Sequence, residues 1–197
     1  MTEETEISPT EDLMREHGIL NRIMLIYEDI LQKIKNKTEF DINLLLKSVT
    51  IVKEFIEEYH EPLEEKYIFS ALLEKNMHTE LIEELIAQHR ISKLITEKIF
   101  KFIADSNLSK ISKYIKIFIH MYRAHESRED TVIFTQFRKI TDDPTIKKLA
   151  DVFEDTEHEL FGPGGYESIL AKVTDIEKQL GIYDLKVYTP LIIYQFS

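Results

Sequence analysis

The sequence predicts an all-α protein, an up-down-up-down four-helix bundle with two additional C-terminal helices. Glycine and proline, the residues that most often interrupt helices, number only five each among 197 residues. The long stretches between them are filled with leucine, isoleucine, glutamate and lysine, a composition typical of helices. With 43% hydrophobic residues, the chain can bury one sizeable core, or one core plus a small appendage.

Capping residues and breakers set the order of the predicted helices. Ser8 and Pro9 supply an N-cap and a first-turn proline for the first helix. Asp41 can cap the second helix, and the Asp143-Pro144 pair begins the fifth. Short joints separate the first four helices, which favours antiparallel neighbours. The predicted helices span about residues 9–35, 41–75, 79–104, 109–140, 144–160 and 166–180.

Three parts of the chain follow from this order. Residues 1–10 are expected to form a disordered acidic lead, residues 11–140 the bundle, and residues 141–197 a C-terminal helical extension with a tail. Gly181 is expected just after the end of the sixth helix. The apolar tail, residues 182–197, is expected to pack back along the bundle, and a contact between two copies of the chain is the second choice.

Composition excludes several classes of function. The net charge of −11 argues against nucleic-acid and anionic-membrane partners, which need a basic face. The lack of cysteine removes disulfides, thiolate catalysis and cysteine-ligated zinc or iron–sulfur clusters. The acidic start is unlike a signal peptide, and no apolar run approaches the ~20 residues of a membrane span. We therefore expect a cytoplasmic protein. A homodimer is a separate expectation for its assembly.

Six side chains that commonly bind metals share the apolar faces of the first four predicted helices. They are His17, His60, Glu64, His89, His125 and Glu129. Positions i and i+4 of a helix share a face, so each glutamate aims at the same point as the histidine four residues before it. Polar groups are costly on an apolar face unless something binds them, and a pair of metal ions is the simplest explanation.

The four histidines also lie at matching depths in an antiparallel bundle. His17 and His60 each stand about 19 residues from the joint between their helices. His89 and His125 each stand about 16 residues from theirs, so at a rise of ~1.5 Å per residue all four share roughly one layer. The other three histidines lie off the apolar stripes or at a joint and are expected on the surface: His78, His120 and His158.

The ligand set narrows the choice of metal. Four imidazoles and two carboxylates exceed the four ligands of one zinc ion. They are too rich in nitrogen for calcium or magnesium, which prefer oxygen. They suit two first-row ions, each held by two histidines, with Glu64 and Glu129 as bridges. A ferritin-like centre would need two Glu-x-x-His pairs, and only Glu57 and His60 have that spacing.

These motifs resemble the hemerythrin-like (HHE cation-binding) family over about residues 11–140. The segments that carry the resemblance are MREHGIL around His17, YHEPLEEKYIF with His60 and Glu64, AQHR around His89, and AHESREDTVIF with His125 and Glu129. The resemblance implies a four-helix bundle with two iron ions in a bridged, non-heme di-iron centre. The later segment is similar to the C-terminal extension of some bacterial and archaeal members.

The chain departs from the oxygen-carrying hemerythrins. Those carriers draw a fifth histidine from an HxxxH pair on the third helix, whereas Leu85 and Lys93 stand four residues from His89 here. Asp130 stands where the carriers use an aspartate, but Glu129 fits the HxxxE spacing better. The resemblance then implies two open, five-coordinate irons, so we expect no reversible oxygen carriage.

Glu61 is a seventh candidate ligand. A glutamate beside the corresponding histidine fills a vacancy in the related iron-sensing F-box proteins, and Pro62 would kink the helix and turn Glu61 inward. The other interpretation is a solvated carboxylate, and the sequence does not choose between the two.

The predicted function is a cytoplasmic di-iron protein that binds O₂, NO or peroxide, in sensing or in a response to oxidative or nitrosative stress. Whether it also turns over a substrate stays open. Two alternatives are a helical interaction module with a structural metal site and a protein that repairs iron centres. The repair proteins of the family usually carry a cysteine-containing segment, which this chain lacks.

Overall fold

The computed structural model describes residues 7–190, and within this range it is all-α with no strand. Six long helices are followed by a short 3₁₀ helix at Leu185–Tyr188. The helices are α1 at Pro9–Asn36, α2 at residues 42–73, α3 at Thr79–Ala104, α4 at residues 108–140, α5 at Asp143–Phe161 and α6 at Gly165–Leu180. Every predicted boundary lies within two residues of the observed one, and the predicted fold class is confirmed.

The first four helices close into a bundle, and the last two pack on one of its faces. Each of α1 to α4 packs against the next, and α4 returns to α1. The short joints make successive helices antiparallel, as predicted. Helices α5 and α6 lie against α1 and α2. None of the helices in residues 7–190 combines the length and apolarity that crossing a membrane requires.

Side-chain caps begin four of the six helices. Ser8 and Glu11 form a reciprocal capping box at the start of α1, and Pro9 occupies the first turn. The helix therefore starts before residue 11, where we placed the boundary of the bundle. Asp41, Asn107 and Asp142 accept hydrogen bonds from first-turn amides of α2, α4 and α5. At the end of α6, Gly181 adopts the expected left-handed conformation, with φ 78°.

Helices α2 and α4 are not uniform α-helices, which the sequence did not indicate. Three π-helical segments interrupt them, at Val52–His60, Glu64–Phe69 and Glu129–Ile133. Each of these segments begins or ends at a predicted ligand, His60, Glu64 or Glu129. Short π segments are typical of functional sites because they alter the direction of the side chains on both sides.

The C-terminal extension packs through aromatic residues and one partly buried ion pair. Phe161 contacts the rings of Phe55 and Tyr59 on α2, with ring centres 5.5 and 5.4 Å apart. Leu160, the residue before Phe161, is 57% exposed. Arg22 of α1 donates through Nε to Glu177 of α6 at 2.9 Å. These contacts fix α5 and α6 to the outer faces of α1 and α2.

In the described half of the tail, which we expected to pack back along the bundle, several apolar side chains are exposed. Ile182 contacts the core, whereas Leu185 is 79% exposed and Val187 is 53% exposed. A 3₁₀ turn at these residues leaves their side chains pointing to solvent. Residues 191–197, which carry the rest of the apolar tail, lie outside the described residues.

Replacing Arg22 by alanine should loosen α6. Glu177 is only 5% exposed, so removal of its guanidinium partner leaves a buried carboxylate unpaired, at a cost of about 1–3 kcal/mol. Urea unfolding and hydrogen exchange of residues 165–180 measure the effect. As a control, Arg123→Ala removes an exposed ion pair with Glu28 and should stay within ~0.5 kcal/mol of wild type. Equal exchange rates in α6 of the Arg22 variant and wild type would contradict the prediction.

Candidate metal centre

The structure brings the six predicted ligands together in the middle of the bundle. They come from all four helices: His17 from α1, His60 and Glu64 from α2, His89 from α3, and His125 and Glu129 from α4. The histidines are 1–3% exposed and the two glutamates are fully buried. Their ligand atoms form two overlapping groups, in each of which all atoms lie within 4.8 Å of one another.

The histidines form two pairs that lie side by side. The rings of His17 and His60 are 4.9 Å apart between centres. The Nε2 atoms of His89 and His125 are 3.1 Å apart. Each pair therefore offers two imidazole nitrogens to one point, as the sequence predicted from their shared layer.

Each glutamate lies between the two histidine pairs. Oε1 of Glu64 is 3.3 Å from His60 Nε2, and its Oε2 is 3.5 Å from His89 Nε2. Oε1 of Glu129 is 3.0 Å from His125 Nε2, and its Oε2 is 3.4 Å from His17 Nε2. One oxygen of each carboxylate thus faces each pair, which is the arrangement that a bridging carboxylate requires.

These four carboxylate oxygens are buried and have no hydrogen-bond partner in residues 7–190. A buried carboxylate without donors is strongly destabilised, so such groups are found where they bind cations. Imidazole nitrogen together with carboxylate oxygen is a donor set that suits first-row transition metals. The residues present therefore fit a metal centre.

A ring of hydrogen bonds orients the four imidazoles. The acceptor for each Nδ1 atom stands on the preceding helix of the bundle, and α4 serves α1. The four pairs are His17 with Asp130 at 2.8 Å, His60 with Glu16 at 2.6 Å, His89 with Glu65 at 2.8 Å, and His125 with the Gln88 Oε1 at 3.0 Å. Carboxylate and amide oxygens only accept, so each Nδ1 carries the hydrogen and each Nε2 is left to bind a metal.

Sequence reasoning missed these four acceptors, although the chain carries a signal for them. Each is the direct sequence neighbour of a ligand, but it serves a ligand on another helix. Glu16 precedes His17 and orients His60, and Asp130 follows Glu129 and orients His17. A residue next to a ligand points about 100° away around the helix, towards the adjacent helix. A polar residue directly beside each predicted ligand is therefore the sequence signal for these acceptors.

The electrostatics of the centre favour cations. Burial opposes protonation of His17, but its hydrogen bond to Asp130 and the nearby Glu129 carboxylate outweigh this effect and raise its pKa to about 10. Burial also opposes protonation of His60, yet the charge of Glu64 and the hydrogen bond to Glu16 raise its pKa. Burial disfavours the charge on Glu129, but His125 and His17 lower its pKa overall. The carboxylates of the centre therefore favour positive charge beside them.

Glu61 is 1% exposed, so the solvated interpretation is wrong. Its Oε1 accepts hydrogen bonds from Tyr122 at 2.6 Å and Ser92 at 3.1 Å. Its Oε2 lies 3.3 Å from the Lys93 Nζ. Glu61 thus points into the bundle, but it is not part of the two groups of converging ligand atoms. His78, His120 and His158 are exposed, as predicted.

Residues 8–137 match the hemerythrin HHE cation-binding domain. The chain belongs to the hemerythrin HHE family. It is similar to an uncharacterised protein of Mycobacterium bovis and to one from each of two strains of Mycobacterium tuberculosis. Each is 36% identical over 194 residues, which cover 95% of this chain and 76% of the relative. No solved structure matches the chain significantly.

The HHE assignment makes a direct prediction for metal content. The double change His60→Ala with His125→Ala removes one imidazole from each pair and should abolish metal binding and the stabilisation that comes with it. Elemental analysis and thermal unfolding, with and without added metal, measure both. Alanine variants of the exposed His78 and His120 are the controls and should keep wild-type metal content. Full metal loading of the double variant would contradict the ligand assignment.

Proposed function

We propose that the protein holds two iron ions and binds a small diatomic molecule or peroxide at them. The observation that carries the proposal is the pair of buried carboxylates, each with one unpaired oxygen facing each histidine pair. His17 and His60 would hold one iron, His89 and His125 the other, with Glu64 and Glu129 as bridges. When bound, the two irons supply electrons and open coordination positions.

The protein side chains leave coordination positions free. Two imidazole nitrogens and two bridging carboxylate oxygens give each iron four protein ligands, fewer than the six of an octahedral ion. The Nδ1 acceptors hold each imidazole in place, so these positions do not close by rotation of a ring. A fifth histidine, which saturates one iron in the oxygen carriers, has no counterpart on α3, where Leu85 and Lys93 stand four residues from His89.

Burial limits the ligand to small molecules. Every proposed ligand side chain is at most 3% exposed, and apolar residues fill the bundle around them. O₂, NO and hydrogen peroxide are small and uncharged, so they can enter through transient openings between packed side chains. An organic substrate would require a cleft that reaches the irons. We therefore propose a role in sensing these molecules or in a response to oxidative or nitrosative stress.

The stoichiometry and the response to oxygen test the di-iron proposal. Anaerobic titration with Fe²⁺ should end at two irons per chain, and mixing with air should give the absorption of bridged ferric iron without a form that reverses under argon. The reason is that both irons stay accessible and have few neutral nitrogen ligands to hold the ferrous state. Stopped-flow absorbance follows the reaction. An end point at one iron would contradict the di-iron proposal, and a colour that disappears under argon would contradict the expected absence of reversible oxygen carriage.

Glu61 is proposed as a further, reserve ligand of the iron at His89 and His125. Its charge contributes to the raised pKa of His89, which places it close to that side of the centre. Tyr122, Ser92 and Lys93 hold its two oxygens in position just outside the cluster. From this position the Glu61 carboxylate could bind to an open coordination position of that iron or dissociate from it.

Changing Glu61 to alanine should open that position to anions. We expect azide to bind the oxidised protein several-fold faster, with nearly unchanged iron content, as followed by the absorbance of the azide complex. Glu57→Ala is the matched control, because Glu57 lies one turn earlier, is buried, and shares the Ser92 hydroxyl with Glu61. Identical azide titrations for wild type and the Glu61 variant would rule out a ligand role.

A further inference from the structure

A second set of carboxylates converges outside the histidine centre. Asp12 and Glu16 of α1 meet Glu157 of α5, and one ligand atom from each lies within 4.8 Å of the other two. The set stands at the junction between the four-helix bundle and the C-terminal extension. None of the three is among the residues that the proposed di-iron centre uses as ligands.

Two buried polar atoms at this junction have no hydrogen-bond partner among the described residues. Glu16 is fully buried; its Oε2 accepts from His60 Nδ1, and its Oε1 has no hydrogen-bond partner in residues 7–190. The Tyr59 hydroxyl, on a side chain that is 1% exposed, also lacks one in that range. The Tyr59 ring packs on Phe161, one turn after Glu157 on α5, which places this side chain at the junction. Unpaired buried oxygens of this kind indicate a missing ligand.

The negative charge at the junction is only partly neutralised. Arg15 lies 3.2 Å from Asp12, but it also lies 3.7 Å from Glu167 and stacks on the Tyr166 ring. Burial raises the pKa of Asp12 to about 7, and the charge of Glu16 adds to the shift. Three carboxylates this close repel one another, and a divalent cation between them would remove the repulsion.

Helix α6 holds Glu157 in place. The Tyr166 amide, in the first turn of α6, donates to Glu157 Oε1 at 3.1 Å. The close approach requires glycine at the preceding position, because a Cβ on Gly165 would lie 2.9 Å from Glu157 Cγ. Glu157 is therefore oriented by the extension itself and is not a freely rotating surface carboxylate.

A solvent-accessible cavity of about 560 Å³ leads to the junction. Asp12 and Glu157 line it, together with Glu154 and the exposed His158. A hydrated ion can therefore reach the carboxylates from solution, which a metal site requires.

We propose that Asp12, Glu16 and Glu157 bind a third metal ion, a divalent cation that prefers oxygen ligands, with the Tyr59 hydroxyl as a fourth oxygen. All four donors are oxygens, which suits Mn²⁺, Mg²⁺ or Ca²⁺ better than zinc or copper. The site gives the C-terminal extension a function, since Glu157 supplies one of three carboxylates. The site also connects the ion to His60, because Glu16 would bind the ion and also accepts a hydrogen bond from His60 Nδ1.

Titration of the iron-loaded protein with Mn²⁺ tests the site, with free Mn²⁺ measured by its EPR signal. Wild type should bind one Mn²⁺ per chain, and Glu157→Gln should weaken that binding at least tenfold while it keeps the size of the side chain. Asp12→Asn should do the same from the other helix. Glu154→Gln removes a charge from the same cavity but not from the cluster, and it should bind Mn²⁺ like wild type.

Two outcomes would overturn the inference: no Mn²⁺ uptake by wild type at millimolar concentration, or equal uptake by wild type, Glu157→Gln and Asp12→Asn. The first result would mean that protons alone neutralise the cluster. Circular dichroism and iron content check that each variant is folded. If Glu157→Gln or Asp12→Asn does not fold, Mn²⁺ binding by the remaining variant decides. Iron stoichiometry reports the histidine centre and Mn²⁺ stoichiometry reports the carboxylate site. Mn²⁺ binding that Glu157→Gln and Asp12→Asn both weaken, in a chain that takes up no iron, would therefore sink the proposed function and leave this inference standing.

Discussion

Four hydrogen bonds between neighbouring helices hold the centre of the bundle in register. Each joins the Nδ1 of one histidine to an oxygen on another helix, and together they form a closed ring through α1, α2, α3 and α4. Because the ring fixes which nitrogen carries the hydrogen, it also determines that all four Nε2 atoms point to the axis. The direction of the ligands and the packing of the helices therefore depend on the same contacts.

The histidine centre also places negative charge in a low-dielectric interior. Glu16, Glu64 and Glu129 are fully buried, and each has at least one oxygen without a hydrogen-bond partner in the described part of the chain. Such an arrangement is unfavourable in an apolar core unless cations are present. The raised pKa values of His17 and His60 have the same origin, since the nearby carboxylates favour positive charge on these imidazoles. Folding and metal binding are thus coupled through charge.

The extension shares this electrostatic constraint with the bundle. One oxygen of Glu16 accepts a hydrogen bond from His60 in the histidine centre. The Glu16 carboxylate also lies close to the carboxylates of Asp12 and Glu157. Helix α6 secures α1 from outside through Arg22 and orients Glu157 through the Tyr166 amide. Helices α5 and α6 are therefore connected to the interior by polar contacts as well as by the aromatic packing of Phe161.

The sequence alone determined the helices, the bundle and the six converging side chains of the candidate metal centre, because periodicity, caps and i,i+4 spacing are properties of single helices. Only the tertiary structure decided the histidine acceptors, the π segments, the burial of Glu61 and the meeting of Asp12 with Glu157. These features depend on how each helix is rotated against its neighbours. The bond from His17 to Asp130, for example, joins residues 113 positions apart, and no local pattern specifies such a contact.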